Sequence, residues 1–404
     1  MRGKGSLFFL LTGLLLYVFD VGSDIYVAIT YFQKEDYWWF GITIALVILP
    51  GIIVNFSSLI VNLDISDKGG ISQVLACVFQ LFVIQQYCEA LKRWKRMNWG
   101  IGAPQPCNED NYDTCECKNC KRYFEKKKQC ADYDRNLALT RYIEAFVESA
   151  PQWCLQFYIM LRQWSFPWIT IASTVFSLLS MAWSITLVEK TGKIDNNPTM
   201  TFPKRSLIVF SLWQLGILVS RLSAIVIFAY VFRSYVFIVI GIHWTAVIVM
   251  IMINEYYGDD HDNWTTLVRA FFTSYPLLFH FSTFTRELMF NNFSKETMLN
   301  VIYCSIFFLE NVIIVSFSVW YEPTSTPHIE LLSKIVLPLV FVGFPIGLLF
   351  CGLYYKFFHP SKMEMDKIIN EVKLISLSSF RAENNRNEII AMKLDETVQY
   401  ETAV

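Results

Sequence analysis

The most prominent pattern in the chain is a series of long apolar stretches separated by short polar ones. A helix needs about 20 predominantly apolar residues to cross the hydrocarbon core of a bilayer. Stretches that approach or exceed this length lie at residues 6–32, 37–63, 69–88, 136–160, 163–188, 206–232, 234–254, 270–285, 297–321 and 335–355. The pattern therefore predicts an all-α membrane protein with many spans.

Two of these stretches differ from the others and are predicted to enter the membrane without crossing it. Stretch 69–88 is rich in glutamine, and stretch 270–285 is short and contains Pro276 and His280. Short cytoplasmic loops are enriched in Lys and Arg. If 69–88 returns to the side where it entered, the basic, cysteine-rich segment 92–132 stays in the cytosol with both chain termini. We therefore predict eight full spans and two re-entrant or interfacial helices.

Full and partial spans follow one another in the same order in both halves of the chain. With an even number of crossings per half, this order predicts two pseudo-repeats in parallel orientation. We divide the chain into an N-terminal transmembrane repeat (1–189), a cytosolic linker (190–205), a C-terminal transmembrane repeat (206–358) and a cytosolic tail (359–404).

The composition agrees with a membrane protein and argues against several other classes. Hydrophobic residues make up 54% of the chain and charged residues 17%, whereas a soluble domain carries about 25% charged residues. The formal net charge is −1, so there is no basic surface for nucleic acid. The sequence has no G-x-x-x-x-G-K-[ST] phosphate loop. We expect neither an enzymatic activity nor an energy source for uphill transport.

Charged residues inside the apolar stretches are the strongest functional signal, since a charge at mid-bilayer costs roughly 2.5–3.5 kcal/mol on insertion scales. Asp20 and Asp24 are four residues apart, as are Glu144 and Glu148, so each pair shares one helix face. The other polar residues deep in these stretches are Arg141, Gln152, Arg221 and Glu310. Two deep arginines leave part of the acidic charge unpaired, which favours a hydrophilic transport path. The alternative is a buried structural network in which the arginines neutralise carboxylates.

Several of these residues lie in motifs that resemble those of the XK-related family. Residues 139–152 resemble the signature L-R-x-F-E-x-F-x-E-x-x-P-Q-L, and the pair Asp20 and Asp24 resembles the family's first-span D-x-x-x-D. Further similarity is found in 181–184, 211–221 and 354–360, so the resemblance covers nearly the whole chain. The sequence departs from the signature at Thr140 and Trp153, and segment 92–132 carries additional cysteines.

The resemblance implies an energy-independent phospholipid scramblase of the plasma membrane. Members of the family move phospholipids between leaflets and expose phosphatidylserine, and some are activated by caspases in apoptosis. One branch lacks the first-span aspartates, whereas this sequence keeps them, which favours the scrambling branch. The candidate lipid-path residues are Asp20, Asp24, Arg141, Glu144, Glu148, Gln152, Arg221 and Glu310, and Trp183 is a candidate gate.

Two other functions remain open at this stage. The same acidic face suits a solute or ion transporter or channel. A non-transport alternative is a membrane scaffold that docks a cytosolic lipid-transfer protein. Besides membrane phospholipids, the resemblance implies a single-span glycoprotein subunit as a further candidate partner.

Residues outside the spans suggest additional sites. The spacing Cys117-x-x-Cys120 suits zinc, which is the one candidate cofactor, while palmitoylation and free thiols are the alternatives. The cysteines concerned are Cys107, Cys115, Cys117, Cys120 and Cys130. In the tail, Asp366 is the better candidate for caspase cleavage, but Lys367 follows it, so we predict weak or no activation by caspases. The C-terminal residues 402–404 fit a PDZ-domain partner.

Overall fold

The computed structural model describes residues 4–63, 82–98, 117–196, 202–256, 267, 270–271, 274–280, 296–321 and 329–359. Within these residues the chain is helical and contains no strand, which confirms the prediction of an all-α protein. The count of eight spans and the two repeats stay predictions. The helices are α1 (Lys4–Gln33), α2 (Tyr37–Leu63), α3 (Phe82–Asn98), α4 (Lys118–Glu144), α5 (Ala150–Gln163), α6 (Trp168–Asn196), α7 (Lys204–Phe232), α8 (Val236–Tyr256), α9 (Glu296–Trp320) and α10 (Ile329–Leu353).

The described helices are those of a multi-pass membrane protein. In the described part of the chain, 4 segments are long and apolar enough to cross a membrane: Leu7–Gln33, Trp168–Ile194, Lys204–Ile253 and Lys334–Phe358. The third of these is 50 residues long and comprises both α7 and α8, which a 3-10 turn joins. Shorter apolar helices occupy Tyr37–Pro50 and Ser305–Trp320. Helices thus lie in each segment that the sequence predicts as a full span.

The structure describes the two predicted partial segments only in part. Of stretch 69–88, residues 82–88 form the first turns of α3, and residues 69–81 lie outside the described residues. In stretch 270–285, Pro276 begins a single 3-10 turn that ends at Leu278, and His280 is buried directly after it.

Helix α1 separates an apolar outer face from a polar inner one. The neighbouring residues Phe19 and Asp20 are 53% and 1% exposed. Asp24 and Val27 are buried on the same side as Asp20. The inner face of α1 packs against α6, and α6 in turn packs against α4, α5 and α7. In a lipid environment this arrangement keeps the carboxylates away from the acyl chains.

The C-terminal half is organised around α7, which is buried along most of its length. Its most extensive partner is α10. The two backbones cross at Gly216 and Gly347, where a Cβ added to Gly216 would lie 2.7 Å from the Gly347 Cα atom. Only glycine permits so close an approach, and small residues at crossings are typical of helix packing in membranes.

Candidate functional site

The polar face of the fourth predicted stretch lies on one long helical rod with a π-helical turn in its middle. Helix α4 ends at Glu144, the π-turn covers Ala145–Ser149, and α5 begins at Ala150. Pro151 follows at once and has no backbone N–H to donate to the preceding turn, which favours the wider turn before it. The π-turn carries Glu148, and such turns occur frequently at functional sites.

Asp20 lies buried between α1, this rod and α6. The Ser149 hydroxyl donates a hydrogen bond to Asp20 Oδ2 at 2.8 Å, and the Ser177 hydroxyl donates to Oδ1 at 2.5 Å. Both donors are neutral and both are buried. The carboxylate is therefore held by neutral donors, and no cation among the described residues contacts it directly.

Asp24, one turn further along α1, is held in the same way. Gln156 Nε2 donates to Asp24 Oδ1 at 2.7 Å, and the Ser173 hydroxyl donates to the same oxygen at 2.8 Å. Ser23 also bonds to Ser173, with 3.1 Å between the two hydroxyl oxygens. α1 and α6 are thus joined by hydrogen bonds at two successive turns.

Arg141 is the guanidinium that lies among these carboxylates. It forms a buried ion pair with Glu144, and its NH2 atom donates to the Ser180 hydroxyl at 2.9 Å. The guanidinium also lies over the ring of Tyr17, with 4.4 Å from its carbon to the ring centroid. One of the four carboxylates in the two predicted pairs is therefore neutralised directly.

Glu148 and Gln152 are buried and lack hydrogen-bond partners within the described residues. Glu148 interacts electrostatically with Asp24, Asp20 and Arg141 but accepts no hydrogen bond from the described part of the chain. Gln152 is fully buried, and neither its amide oxygen nor its amide nitrogen has a partner there. An unpaired buried polar group is unfavourable by about 1–3 kcal/mol, so both side chains suggest a binding function.

Helix α6 contributes a row of hydroxyls that the sequence analysis missed. Ser173, Ser177, Ser180 and Ser184 follow each other at spacings of three or four residues and are all buried. At 1.5 Å per residue the row is about 17 Å long. The spacing was a usable signal, but serine changes hydropathy little and does not interrupt an apolar stretch. We call this row the serine face.

Together these side chains form what we call the polar seam, which lies where α1, the α4–α5 rod and α6 meet. It comprises the serine face with Asp20, Asp24, Arg141, Glu144, Glu148, Ser149, Gln152 and Gln156. Six of its members were candidates from the sequence, and the structure brings those six to one region.

Trp183, the candidate gate, lies at one end of the serine face. Its indole is buried and packs against Phe9, with 5.7 Å between ring centroids. Leu207 of α7 belongs to the same cluster. The indole nitrogen has no hydrogen-bond partner among the described residues. Trp183 therefore fills the space where α1, α6 and α7 meet.

Arg221, which is buried, and Glu310, which is partly exposed, form a second cluster apart from the polar seam. Arg221 NH2 lies 3.1 Å from Glu310 Oε2, and His243 Nδ1 lies 3.0 Å from Glu310 Oε1. Arg221 also donates to the Asn311 side-chain oxygen and to the Leu278 carbonyl oxygen, each at 3.0 Å. These partners come from α8, α9 and the 3-10 turn, so the structure brings Arg221 to Glu310 and not to Asp20 or Glu148.

The candidate zinc ligands are described only in part. Cys120 and Cys130 are buried and Cys117 is partly buried, and the Cys117 sulfur accepts a hydrogen bond from the Cys120 backbone N–H at 3.4 Å. Cys107 and Cys115 lie outside the described residues, as do Asp366 and residues 402–404. Among the residues that the structure covers, no group of three side chains is arranged to hold a metal ion. Zinc binding stays a prediction.

Comparison with known proteins assigns the chain a family. A family model described as XK-related protein matches residues 8–360. XK-related protein 8 of Tetraodon nigroviridis is 23% identical over 371 residues, which cover 87% of this chain and 83% of the relative. Cell death abnormality protein 8 of Caenorhabditis elegans is 23% identical over 386 residues, with coverages of 86% and 77%. The matched region contains the polar seam and the second cluster.

Proposed function

We propose that this chain, which belongs to the XK-related family, is an energy-independent phospholipid scramblase that exposes phosphatidylserine in apoptosis. The observation that carries the proposal is the polar seam, where buried carboxylates outnumber the cations beside them. The names of relatives such as cell death abnormality protein 8 support a role linked to cell death. The proposed process forms no covalent bond and requires no cofactor.

The seam suits a headgroup path because of where its polar atoms lie. A scramblase must give a polar headgroup a route across the hydrocarbon core while the acyl chains stay in lipid. Desolvating a polar group without replacement hydrogen bonds is strongly unfavourable. Carboxylates, hydroxyls and amides on successive turns of α1, α5 and α6 would replace the lost water step by step. We limit the proposed path to the seam, since Arg221 and Glu310 are occupied with each other.

For the topology we propose eight full spans and two partial segments in the plasma membrane, with both termini in the cytosol. Helices α3 and α4 support the cytosolic position of segment 92–132. They pack together through Tyr133, which donates to the Gln86 carbonyl oxygen at 3.3 Å and lies under the Arg93 guanidinium. The pair carries the exposed basic residues Lys92, Lys95, Arg96, Lys118, Lys121, Arg122, Lys127 and Lys128.

In this topology the seam has an outer and an inner end. Asp24 and Ser173 lie toward the outer leaflet, and Ser184 lies toward the inner one. Trp183, packed against Phe9, lies at the inner end and is the proposed gate. Movement of this indole would open the seam to headgroups of the inner leaflet.

The proposed function is tested with purified protein in liposomes without nucleotide. Lipids labelled on an acyl chain should become accessible to a membrane-impermeant reductant in both leaflets, while empty liposomes protect half of the label. Ion flux is measured on the same preparation. Flux without lipid movement would instead favour the transporter or channel, and the absence of both would favour the scaffold.

A further inference from the structure

We infer that the polar seam accepts phospholipids whose headgroup carries an ammonium group, and that this ammonium binds among Asp20, Asp24 and Glu148. The inference rests on the proposed function and adds the chemical class of the substrate. It concerns phosphatidylserine, phosphatidylethanolamine and phosphatidylcholine, in contrast to phosphatidylglycerol and phosphatidic acid.

The charge balance of the seam points to a cationic ligand group. Within the described residues the seam holds four carboxylates and one guanidinium, and that guanidinium is bound to Glu144. Asp20, Asp24 and Glu148 are each at most 4% exposed, and no cation from the part of the chain that the structure describes is in contact with them. Buried carboxylates are normally paired, so a positive group that enters the seam would supply the missing partner.

The present partners of Asp20 and Asp24 can be exchanged for such a group. Ser149, Ser173, Ser177 and Gln156 are neutral donors. An ammonium in place of a serine hydroxyl would donate a hydrogen bond to the same carboxylate oxygen. It would add the attraction between opposite charges, which a neutral hydroxyl cannot supply. The released hydroxyl is small and able to bond to its own helix backbone, as Ser184 does to the Ser180 carbonyl oxygen.

Gln152 is an independent indication of a ligand. It is four residues from Glu148 and four from Gln156, so all three lie on one face of the rod. Gln156 already reaches Asp24, whereas both amide atoms of the fully buried Gln152 lack partners in the described structure. An amide offers a carbonyl acceptor to an ammonium and N–H donors to a phosphate. A zwitterionic headgroup would satisfy both ends of this side chain.

Arg141 completes the match to such a headgroup. Its guanidinium interacts electrostatically with Asp20 and Glu148 and is fixed by Glu144 and Ser180. Guanidinium groups bind phosphate oxygens well. A metal cation would be an alternative partner for the acids, but within the described residues no three ligands are arranged to hold one. The seam thus offers carboxylates that can bind the ammonium and one guanidinium, that of Arg141, which can bind the phosphate.

The decisive comparison is between phosphatidylserine and phosphatidylglycerol, both labelled on an acyl chain, in liposomes that contain the full-length protein. The two lipids have the same net charge, and only the first carries an ammonium. We expect phosphatidylserine to cross about tenfold faster, the ratio that ~1.4 kcal/mol of differential binding gives. Equal rates for the two lipids would overturn the inference but leave the scramblase proposal intact. If neither lipid moves, the proposed function itself fails.

Substitutions of single carboxylates test whether these residues cause the preference for phosphatidylserine over phosphatidylglycerol. Glu148→Gln should bring the rate ratio of the two lipids to within about twofold of unity, since one tenfold step corresponds to ~1.4 kcal/mol. Glu89→Gln makes the same chemical change in an exposed ion pair with Lys92 and should keep the wild-type ratio. A Glu148→Gln protein with the wild-type ratio would contradict the assignment. Should that variant not fold, Asp24→Asn gives the same test, and the wild-type comparison stands without either.

Discussion

Arg141 and Arg221 are both buried arginines, yet their surroundings differ. Arg221 faces a single carboxylate, Glu310, and its other donors bond to Asn311 and to the Leu278 carbonyl oxygen. Arg141 lies among four carboxylates and directly neutralises only Glu144. The charges of Arg221 and Glu310 balance each other, which suits a structural role. The carboxylates around Arg141 outnumber it, which leaves acidic groups available for a ligand.

The structural role of Arg221 gives a prediction about pairs of substitutions. Arg221→Gln removes the buried guanidinium that pairs with the partly exposed Glu310. The free energy of unfolding should therefore fall by less than the cost of breaking a fully buried pair, about 3–5 kcal/mol. We expect this variant to lose thermal stability in detergent and to reach the cell surface poorly. The double variant Arg221→Gln/Glu310→Gln should recover most of the loss. Recovery with Asp20→Asn in place of Glu310→Gln would contradict the separation of the two clusters.

For Gln152 we predict a substitution that keeps or raises thermal stability but lowers scrambling activity. Replacing it by Leu removes two buried polar atoms that have no partner among the residues the structure covers, and each such group is unfavourable by about 1–3 kcal/mol. Gln152→Leu should therefore melt at the same temperature as wild type or higher. Scrambling in liposomes should nevertheless slow, because the headgroup loses a polar contact. A variant that scrambles at the wild-type rate would show that Gln152 does not contact the lipid.

The sequence pattern indicates the charged members of the site but not their partners. The spacing of Asp20 and Asp24, or of Glu144 and Glu148, places two side chains on one helix face. It does not say which other helix that face meets, so Arg221 and Glu310 were grouped with the same path. Ser149 and Gln156 were missed, because neutral side chains leave an apolar stretch apolar on average.

At the scale of helices, the contact between α1 and α6 is the one that must change if headgroups are to enter. Ser173 and Ser177 of α6 now bond to Asp24 and Asp20 of α1, and Ser23 bonds to Ser173. A seam whose two walls are bonded to each other has no room for a headgroup. The described structure is therefore a closed form.

A reversible crosslink tests whether α1 and α6 separate. The hydroxyl oxygens of Ser23 and Ser173 are 3.1 Å apart, so the double variant Ser23→Cys/Ser173→Cys should form a disulfide on mild oxidation. We expect oxidised protein to stop scrambling and reduced protein to resume. The two single-cysteine variants, treated in the same way, control for the native thiols. Full activity of the crosslinked protein would mean that headgroups pass without separation of these helices.

Helix positions were predictable from hydropathy, while local irregularities were not. The apolar stretch 136–160 gave the position of a helix, but that helix begins at Lys118, since helix propensity continues through the basic residues. The π-turn at Ala145–Ser149 depends on a single wider turn before Pro151 and has no periodic signature. The crossing of Gly216 and Gly347 joins residues more than a hundred positions apart, which one sequence does not relate.

For the whole molecule, the proposed topology predicts which segments are accessible from outside the cell. An epitope tag inserted at position 107 should not be stained on intact cells and should be stained after permeabilisation. A tag between α1 and α2, after Glu35, should be stained on intact cells and serves as the matched control. Surface staining at position 107 would contradict eight spans and would place the cysteine-rich segment in an oxidising compartment.

The two halves of the molecule are alike in hydropathy but differ in the state of their buried charges. The N-terminal half contains the polar seam, and the C-terminal half contains the cluster in which Arg221 pairs with Glu310. Hydropathy predicted the helical class and the segments, because the requirement for apolar length is physical and local. The functional difference between the halves depends on tertiary partners, which the sequence pattern does not encode.

The central claim is that headgroups cross along the polar seam, and Asp20→Asn tests it most directly. This substitution removes the charge and keeps the side-chain shape. One of the two serines, Ser149 or Ser177, keeps an oxygen to which it can donate, and the other can accept a hydrogen bond from the new amide group. The measurement is the scrambling rate of the purified variant, at a protein density matched to wild type and with surface expression checked in cells. We predict normal expression and a rate about tenfold lower, equivalent to ~1.4 kcal/mol of lost interaction. A well-expressed Asp20→Asn protein that scrambles at the wild-type rate would contradict the account.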